Sequence, residues 1–272
     1  MKVLSFSFLF LFAAQVSAGT PAGEWSVSAD SRRAAILIGG AEGGLAWQYL
    51  PQQVEALQQA GFSVFRTAYF NHAGTSALLQ EIELDYFRRV IEWVAEQNDD
   101  LVIVAHSRGS EAALLSAIGN DKVDKLVVIA PASHVFQGIE RSLEATVSRR
   151  RSAWAEAGQP LPFVPFDINQ AQMEETALAA EKGEMCACVL DVYRQSLAKA
   201  AAETRIAVES IDATVLFVSS DSDPIWPSAQ MADTMMASRQ QAGKRSEHWR
   251  LQGGHMPHAD GAVWQRIVDW LH

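Results

Sequence analysis

Two periods alternate along this chain, and nothing else in it restricts the fold as much. Apolar runs of strand length occur at "RAAILIGG" (33–40), "FSVFRTAYF" (62–70), "LVIVA" (101–105) and "DKLVVIAP" (124–131). Between them lie segments with helical spacing: "LPQQVEALQQAG" carries Val54 and Leu57, and residues 82–97 place Phe87, Val90, Ile91 and Val94 on one face. Strands and helices in alternation predict an α/β fold, a mostly parallel sheet flanked by helices on both faces. From about 134 to 206 the alternation stops. That stretch is rich in Ala, Glu, Gln and Arg and reads as a helical cap insertion with one proline-aromatic segment, "QPLPFVPF". Alternation resumes with strand "ATVLFVSS", a helix over 228–241, strand "SEHWRLQ" and a closing helix "AVWQRIVDWLH". With 272 residues, 49% of them hydrophobic, the chain has length and apolar content for one α/β domain over 19–272.

The first eighteen residues, "MKVLSFSFLFLFAAQVSA", pair one charge at Lys2 with an apolar run from Val3 to Ala14 and the small ending Val16-Ser17-Ala18. This is a secretory signal pattern over 1–18, with cleavage expected after Ala18 and a periplasmic or secreted product. The run is shorter than the roughly 20 apolar residues a spanning helix needs, so no stable membrane insertion is expected after cleavage. Lys and Arg number 22 against 32 Asp and Glu, a net charge of −10, and no basic stripe is visible, which argues against nucleic acid as a partner. The cluster "SRRR" (148–151) reads as a solvated helix face. Cys186 and Cys188 stand one residue apart; they can pair in an oxidising compartment, or serve as two small hydrophobes in a helical segment. Too few ligands surround them for zinc.

The stretch "LVIVAHSRGSEAALL" carries the chemistry. Strand, then Ala105-His106-Ser107-Arg108-Gly109, then helix is the setting in which a G-x-S-x-G elbow presents its serine at the carboxyl end of a strand. Ala105 takes the place of the first glycine. The competing reading of Ser107 is a helix cap. A serine nucleophile needs a base to take its proton and an acid to orient that base, in the chain order Ser, acid, His. "VLFVSSDSDPIWPS" supplies Asp223, with Asp221 as competitor, and "LQGGHMPHADG" supplies His255, with His258 second. The spacing of His255, His258 and Asp260 hints at a metal, but Pro257 interrupts any helix that would align them, so no metal is expected. His106 reads as a packing residue.

An acyl intermediate also needs oxyanion donors. One is expected to be the backbone N–H of Arg108. The other is expected from the glycine loop "GGAEGG" (39–44), at Ala41 with Glu42 next. Glu42, Phe163, Phe166 and Trp226 are the candidate pocket residues.

The sequence resembles the α/β-hydrolase superfamily and, more narrowly, the C-terminal catalytic domain of the acyl-CoA thioesterase and bile acid-CoA:amino acid N-acyltransferase family, a relative of dienelactone hydrolases. "GGAEGG", "EIELDYFRRVIEWV", "HSRGSEAALL" with Glu111 four residues after Ser107, "PASHVFQGI", "SAWAEAGQPLPFVPF" and "SSDSDPIWPSAQMA" carry the likeness. The resemblance implies Ser107 as nucleophile, Asp223 as acid and His255 as base. It departs at Ala105, at Arg108 where the family often has lysine, and in the missing immunoglobulin-like domain ahead of the hydrolase core. An exported, acidic chain also fits poorly with coenzyme A, an intracellular polyanion. The expectation is a cofactor-free serine hydrolase acting on a small-molecule ester or thioester through an acyl-enzyme. Its rivals are an acyltransferase using the same triad and an inactive binding protein of the same fold.

Overall fold

The computed structural model describes residues 20–28 and 31–272. The expected signal segment, 1–18, lies outside the described residues. In chain order the elements are β1 (Gly23–Ser26), β2 (Arg33–Ile38), α1 (Pro51–Gln59), β3 (Ser63–Thr67), β4 (Ile82–Glu83), α2 (Leu84–Ala95), β5 (Asp100–His106), α3 (Arg108–Ala117), β6 (Lys125–Ile129), α4 (Leu143–Arg149), β7 (Trp154–Glu156), β8 (Gln159–Pro160), α5 (Gln170–Glu181), α6 (Val189–Ala198), β9 (Thr214–Ser220), α7 (Ser228–Gln241), β10 (Ser246–Leu251) and α8 (Gly261–Leu271). Seven strands form the central sheet in the order β1-β3-β2-β5-β6-β9-β10, parallel except for β1 at one edge.

The apolar runs explain why both faces are covered. Side chains alternate across a strand, so Ile36, Ile38, Ile103, Ala105, Val128 and Phe217 join one core cluster, while Ala35, Leu37, Val102, Val104, Ile129 and Val218 join another. The first is closed by the apolar stripe of α2 (Phe87, Val90, Ile91, Val94) with α3 and α7, the second by α1 and α8 through Leu57, Trp264, Ile267 and Val268. The chain adds β3 on one side of β2 and then crosses back to place β5 on the other. That reversal opens a crevice at the carboxyl ends of β2 and β5, the usual ligand position in an open α/β sheet.

The insertion between β6 and β9 is less helical than its composition implies. Helices α4, α5 and α6 are there, but Trp154–Glu156 and Gln159–Pro160 form a hairpin that extends β4 into a small three-stranded sheet. Ala157 and Gly158 both have positive φ, 51° and 75°, the two-residue turn that matches strand twist. Of "SRRR", only Ser148 and Arg149 lie on α4; Arg150 ends the helix at φ 32° and Arg151 pairs with Glu81 at 3.0 Å. Cys186 and Cys188, between α5 and α6, are buried and joined by a disulfide.

Candidate active site

Ser107 occupies the turn from β5 to α3 with φ 54° and ψ −126°. Such a backbone costs a non-glycine residue about 1–3 kcal/mol and persists only where its surroundings hold it. Here the Ser107 N–H donates to Ile129 C=O at 2.9 Å and its own carbonyl accepts from Ser110 N–H at 2.9 Å. The side chain makes no capping bond to α3. Its Oγ lies instead 2.8 Å from His255 Nε2. The turn leaves no room for larger neighbours: a β-carbon on Gly109 would fall 2.1 Å from the Gly39 carbonyl oxygen. Ala105 lies inside β5, and its methyl is absorbed by the core rather than by the turn.

His255 comes from the loop between β10 and α8, and Asp223 from the loop after β9. His255 Nδ1 stands 2.9 and 3.0 Å from the two Asp223 carboxylate oxygens. That carboxylate also accepts from Ser228 Oγ at 2.7 Å and Ile225 N–H at 2.9 Å. Burial alone would raise its pKa, but these donors hold it below the usual carboxylate range. An ionised Asp223 fixes the proton on His255 Nδ1 and leaves Nε2 free to accept from the Ser107 hydroxyl.

The competitors fall elsewhere. Asp221 pairs with Arg250 and accepts from Gln252 Nε2 at 3.2 Å. His258 is buried beneath Trp47, 4.7 Å between ring centres, and burial pushes its pKa down to about 3. His106 does more than pack. Its Nε2–H donates to the His255 carbonyl at 3.1 Å, and burial holds its pKa well below the ordinary value, keeping the ring neutral. The residue before Ser107 thus tethers the backbone of His255. Sequence reasoning had no signal for this, because the acceptor is a main-chain atom in a distant loop.

Directly behind Ser107, Arg108 and Glu111 form a fully buried ion pair, Nε to Oε1 2.9 Å. Arg108 Nη2 donates to Phe136 C=O at 3.1 Å, while Glu111 Oε2 accepts from Phe136 N–H at 3.0 Å and Trp154 Nε1–H at 2.8 Å. Burial lifts the Glu111 carboxyl above its usual range. The sequence marked Glu111 as part of a motif without giving it a task; the structure shows it bolting α3 to the insertion.

Of the four pocket candidates, Trp226 lies edge-on to His255, 5.7 Å between centres. Phe166 and Tyr193 wall a cavity of about 240 Å³ shared with Ile139, Leu143, Val147 and Val192. Tyr193 stands between Phe166 and Trp226, its ring 5.3 Å from the first and 5.4 Å from the second. Phe163 does not line it. The segment runs extended beside Phe136, so Val164 and Phe166 face the cluster containing Trp226 while Phe163 turns the other way, onto the main core. In the glycine loop, Ala41 is exposed and Glu42 folds back so that its Oε1 accepts from Gly40 N–H at 2.9 Å.

A mostly parallel sheet, a strained serine elbow at its switch point, and an acid and a histidine delivered by later strands define the α/β-hydrolase class. Within it, the chain belongs to the family described as BAAT / Acyl-CoA thioester hydrolase C terminal, matching over residues 82–259; β2 and the glycine loop precede the matched stretch. Among curated proteins none matches by sequence. Similar solved structures include an esterase of Pyrococcus furiosus (TM-score 0.58, 11% identity, 92% of this chain and 84% of that one). A metagenome-derived lipolytic enzyme (0.56, 16%, 94% and 99%) and a monoacylglycerol lipase of Paleococcus ferrophilus (0.56, 16%, 92% and 97%) are also similar. At these identities the likeness concerns the fold.

Proposed function

We propose that this chain is an exported serine hydrolase that cleaves a carboxylic ester or thioester through an acyl-enzyme. The observation that carries the reading is the unbroken relay from Ser107 Oγ through His255 to Asp223, with contacts of 2.8 and 2.9 Å. Ser107 attacks the acyl carbonyl as its proton passes to His255 Nε2. The oxyanion is met by the backbone N–H groups of Arg108, first residue of α3, and of Ala41, beside the Gly40 backbone that packs on Ser107. His255 returns the proton to the leaving group, a water deprotonated by the same imidazole attacks the ester carbonyl, and collapse of the second tetrahedral intermediate frees Ser107. The insertion, with Tyr193 and Phe166, and the loop after β9, with Trp226, supply the apolar surface for the acyl group, leading away from the histidine. Export rests on the pattern of residues 1–18, and the secreted product is expected to begin at Gly19.

The test is fluorophosphonate labelling of the full chain and of Ser107→Ala, followed by turnover of p-nitrophenyl esters and acyl-CoA thioesters. The expected result is a label on Ser107 and turnover reduced at least about a thousandfold in the variant. A folded wild-type chain that neither labels nor turns over any of these esters would overturn the reading. Adding amine acceptors to the same reaction separates hydrolysis from acyl transfer.

A further inference from the structure

We propose that Glu42 selects acyl substrates bearing a cationic group close to the scissile carbonyl. The proposal rests on Ser107 being the nucleophile, and it comes from where the Glu42 carboxylate sits. A β-carbon built on Gly40 would lie 2.8 Å from Glu42 Oε2 and 2.9 Å from Ser107 Cβ, so carboxylate and nucleophile crowd the same side of one glycine. Glu42 Oε1 is held there by the Gly40 N–H at 2.9 Å. Ala41, the oxyanion donor proposed above, is the residue between them.

A full negative charge at this place opposes the negative charge that develops on the acyl oxygen during attack. Among the described residues, no Lys, Arg or His forms an ion pair with Glu42. Arg108, adjacent to Ser107, is turned into the core and engaged by Glu111 and Phe136. The residue is exposed, so an incoming molecule meets it from solvent. A substrate cation lying against Glu42 converts the unfavourable field into an attraction and itself faces the oxyanion. The same charge disfavours polyanionic leaving groups such as coenzyme A, which sets this chain apart from the substrates named in its family's description.

A structural alternative is that Glu42 only braces the loop through Gly40. Glu42→Gln separates the two, since the amide oxygen still accepts from Gly40 N–H while the charge is gone. The experiment compares kcat/KM for two p-nitrophenyl esters of equal chain length, one ending in trimethylammonium and the other in its uncharged tert-butyl isostere. Both full-length proteins are first titrated with a fluorophosphonate to count competent sites. Wild type is expected to prefer the cationic ester by about tenfold at low salt, as two charges a few ångströms apart near a protein surface allow, and to lose that preference at high salt. In Glu42→Gln the preference is expected to vanish at any salt. An unchanged ratio in the variant, or a salt-independent ratio in wild type, overturns the role of Glu42. Failure of wild type to take the fluorophosphonate overturns the Ser107 reading, and this proposal with it.

Discussion

Replacing Glu111 by glutamine changes one oxygen for one NH₂ group, yet the surroundings make it a severe perturbation. Two of the contacts survive, because the remaining amide oxygen can still accept from Phe136 N–H and Trp154 Nε1–H. The uncharged amide then stands where the carboxylate oxygen lies 2.9 Å from Arg108 Nε, and the guanidinium loses its negative partner. Arg108 keeps its charge in a site that is 1% exposed, and breaking a buried pair in this way costs about 3–5 kcal/mol. With a urea m-value of about 3 kcal/mol/M, the unfolding midpoint falls by about 1–1.7 M at unchanged m. Removing both charges, as in Arg108→Met with Glu111→Leu, recovers only part of this. It leaves the Phe136 and Trp154 donors without an acceptor, at about 1–3 kcal/mol each. A loss below about 1 kcal/mol for Glu111→Gln would refute the reasoning. Because burial raises this carboxyl's pKa, so small an effect would mean that Glu111 is already protonated in the folded chain and no ion pair exists to break.

Two further outcomes follow from the same architecture. Gly109→Ala puts a methyl 2.1 Å from the Gly39 oxygen and must pry α3 from the end of β2, costing about 2 kcal/mol or more together with much of the proposed ester turnover. Gly261→Ala, in open space at the start of α8, is the near-neutral control, and equal unfolding midpoints for the two variants would contradict the crowding argument. His106 and His258 are both held neutral, with folded pKa values below the unfolded value near 6.5. The unfolded chain therefore binds more protons on acidification. Stability is full above about pH 6.5 and declines toward the His258 value by up to about 1.4 kcal/mol per pH unit for each imidazole. Urea midpoints that stay flat between about pH 7 and 5 would sink this, and His258→Phe is expected to flatten the slope.

The core strands, the helices beside them and the three loops that meet at Ser107 were all legible in the sequence. Apolar runs, helical spacing and the order of serine, acid and histidine are local signals or simple consequences of chain direction. What escaped was set by parity and by distance. Phe163 and Phe166 look alike in a proline-rich segment, but their separation by an odd number of residues sends them to opposite faces of an extended chain. The hairpin at Trp154–Pro160 is too short to show an alternating pattern, and its turn rests on the positive φ of Ala157, which composition does not announce. His106 and Ser228 serve the triad through the His255 carbonyl and an Asp223 oxygen, and neither residue type stands out in its context. The pairing of Cys186 with Cys188 stayed open because spacing alone permits both states.

β6 and β9 are hydrogen-bonded neighbours, so the chain leaves the sheet after Ile129 and rejoins it at Thr214 one strand away. Since the entropy of closing such an excursion grows only with the logarithm of its length, one excursion can replace another at small cost to the scaffold. Ser107, Asp223 and His255 lie outside it. The relay therefore sits on a length of chain separate from Phe166 and Tyr193, which carry part of the apolar surface proposed for the acyl group. The two lengths are tied together by, among others, the N–H groups of Phe136 and Trp154, which both end on Glu111. Any substitute excursion must bring two donors to that point or leave a carboxylate bare beneath Ser107.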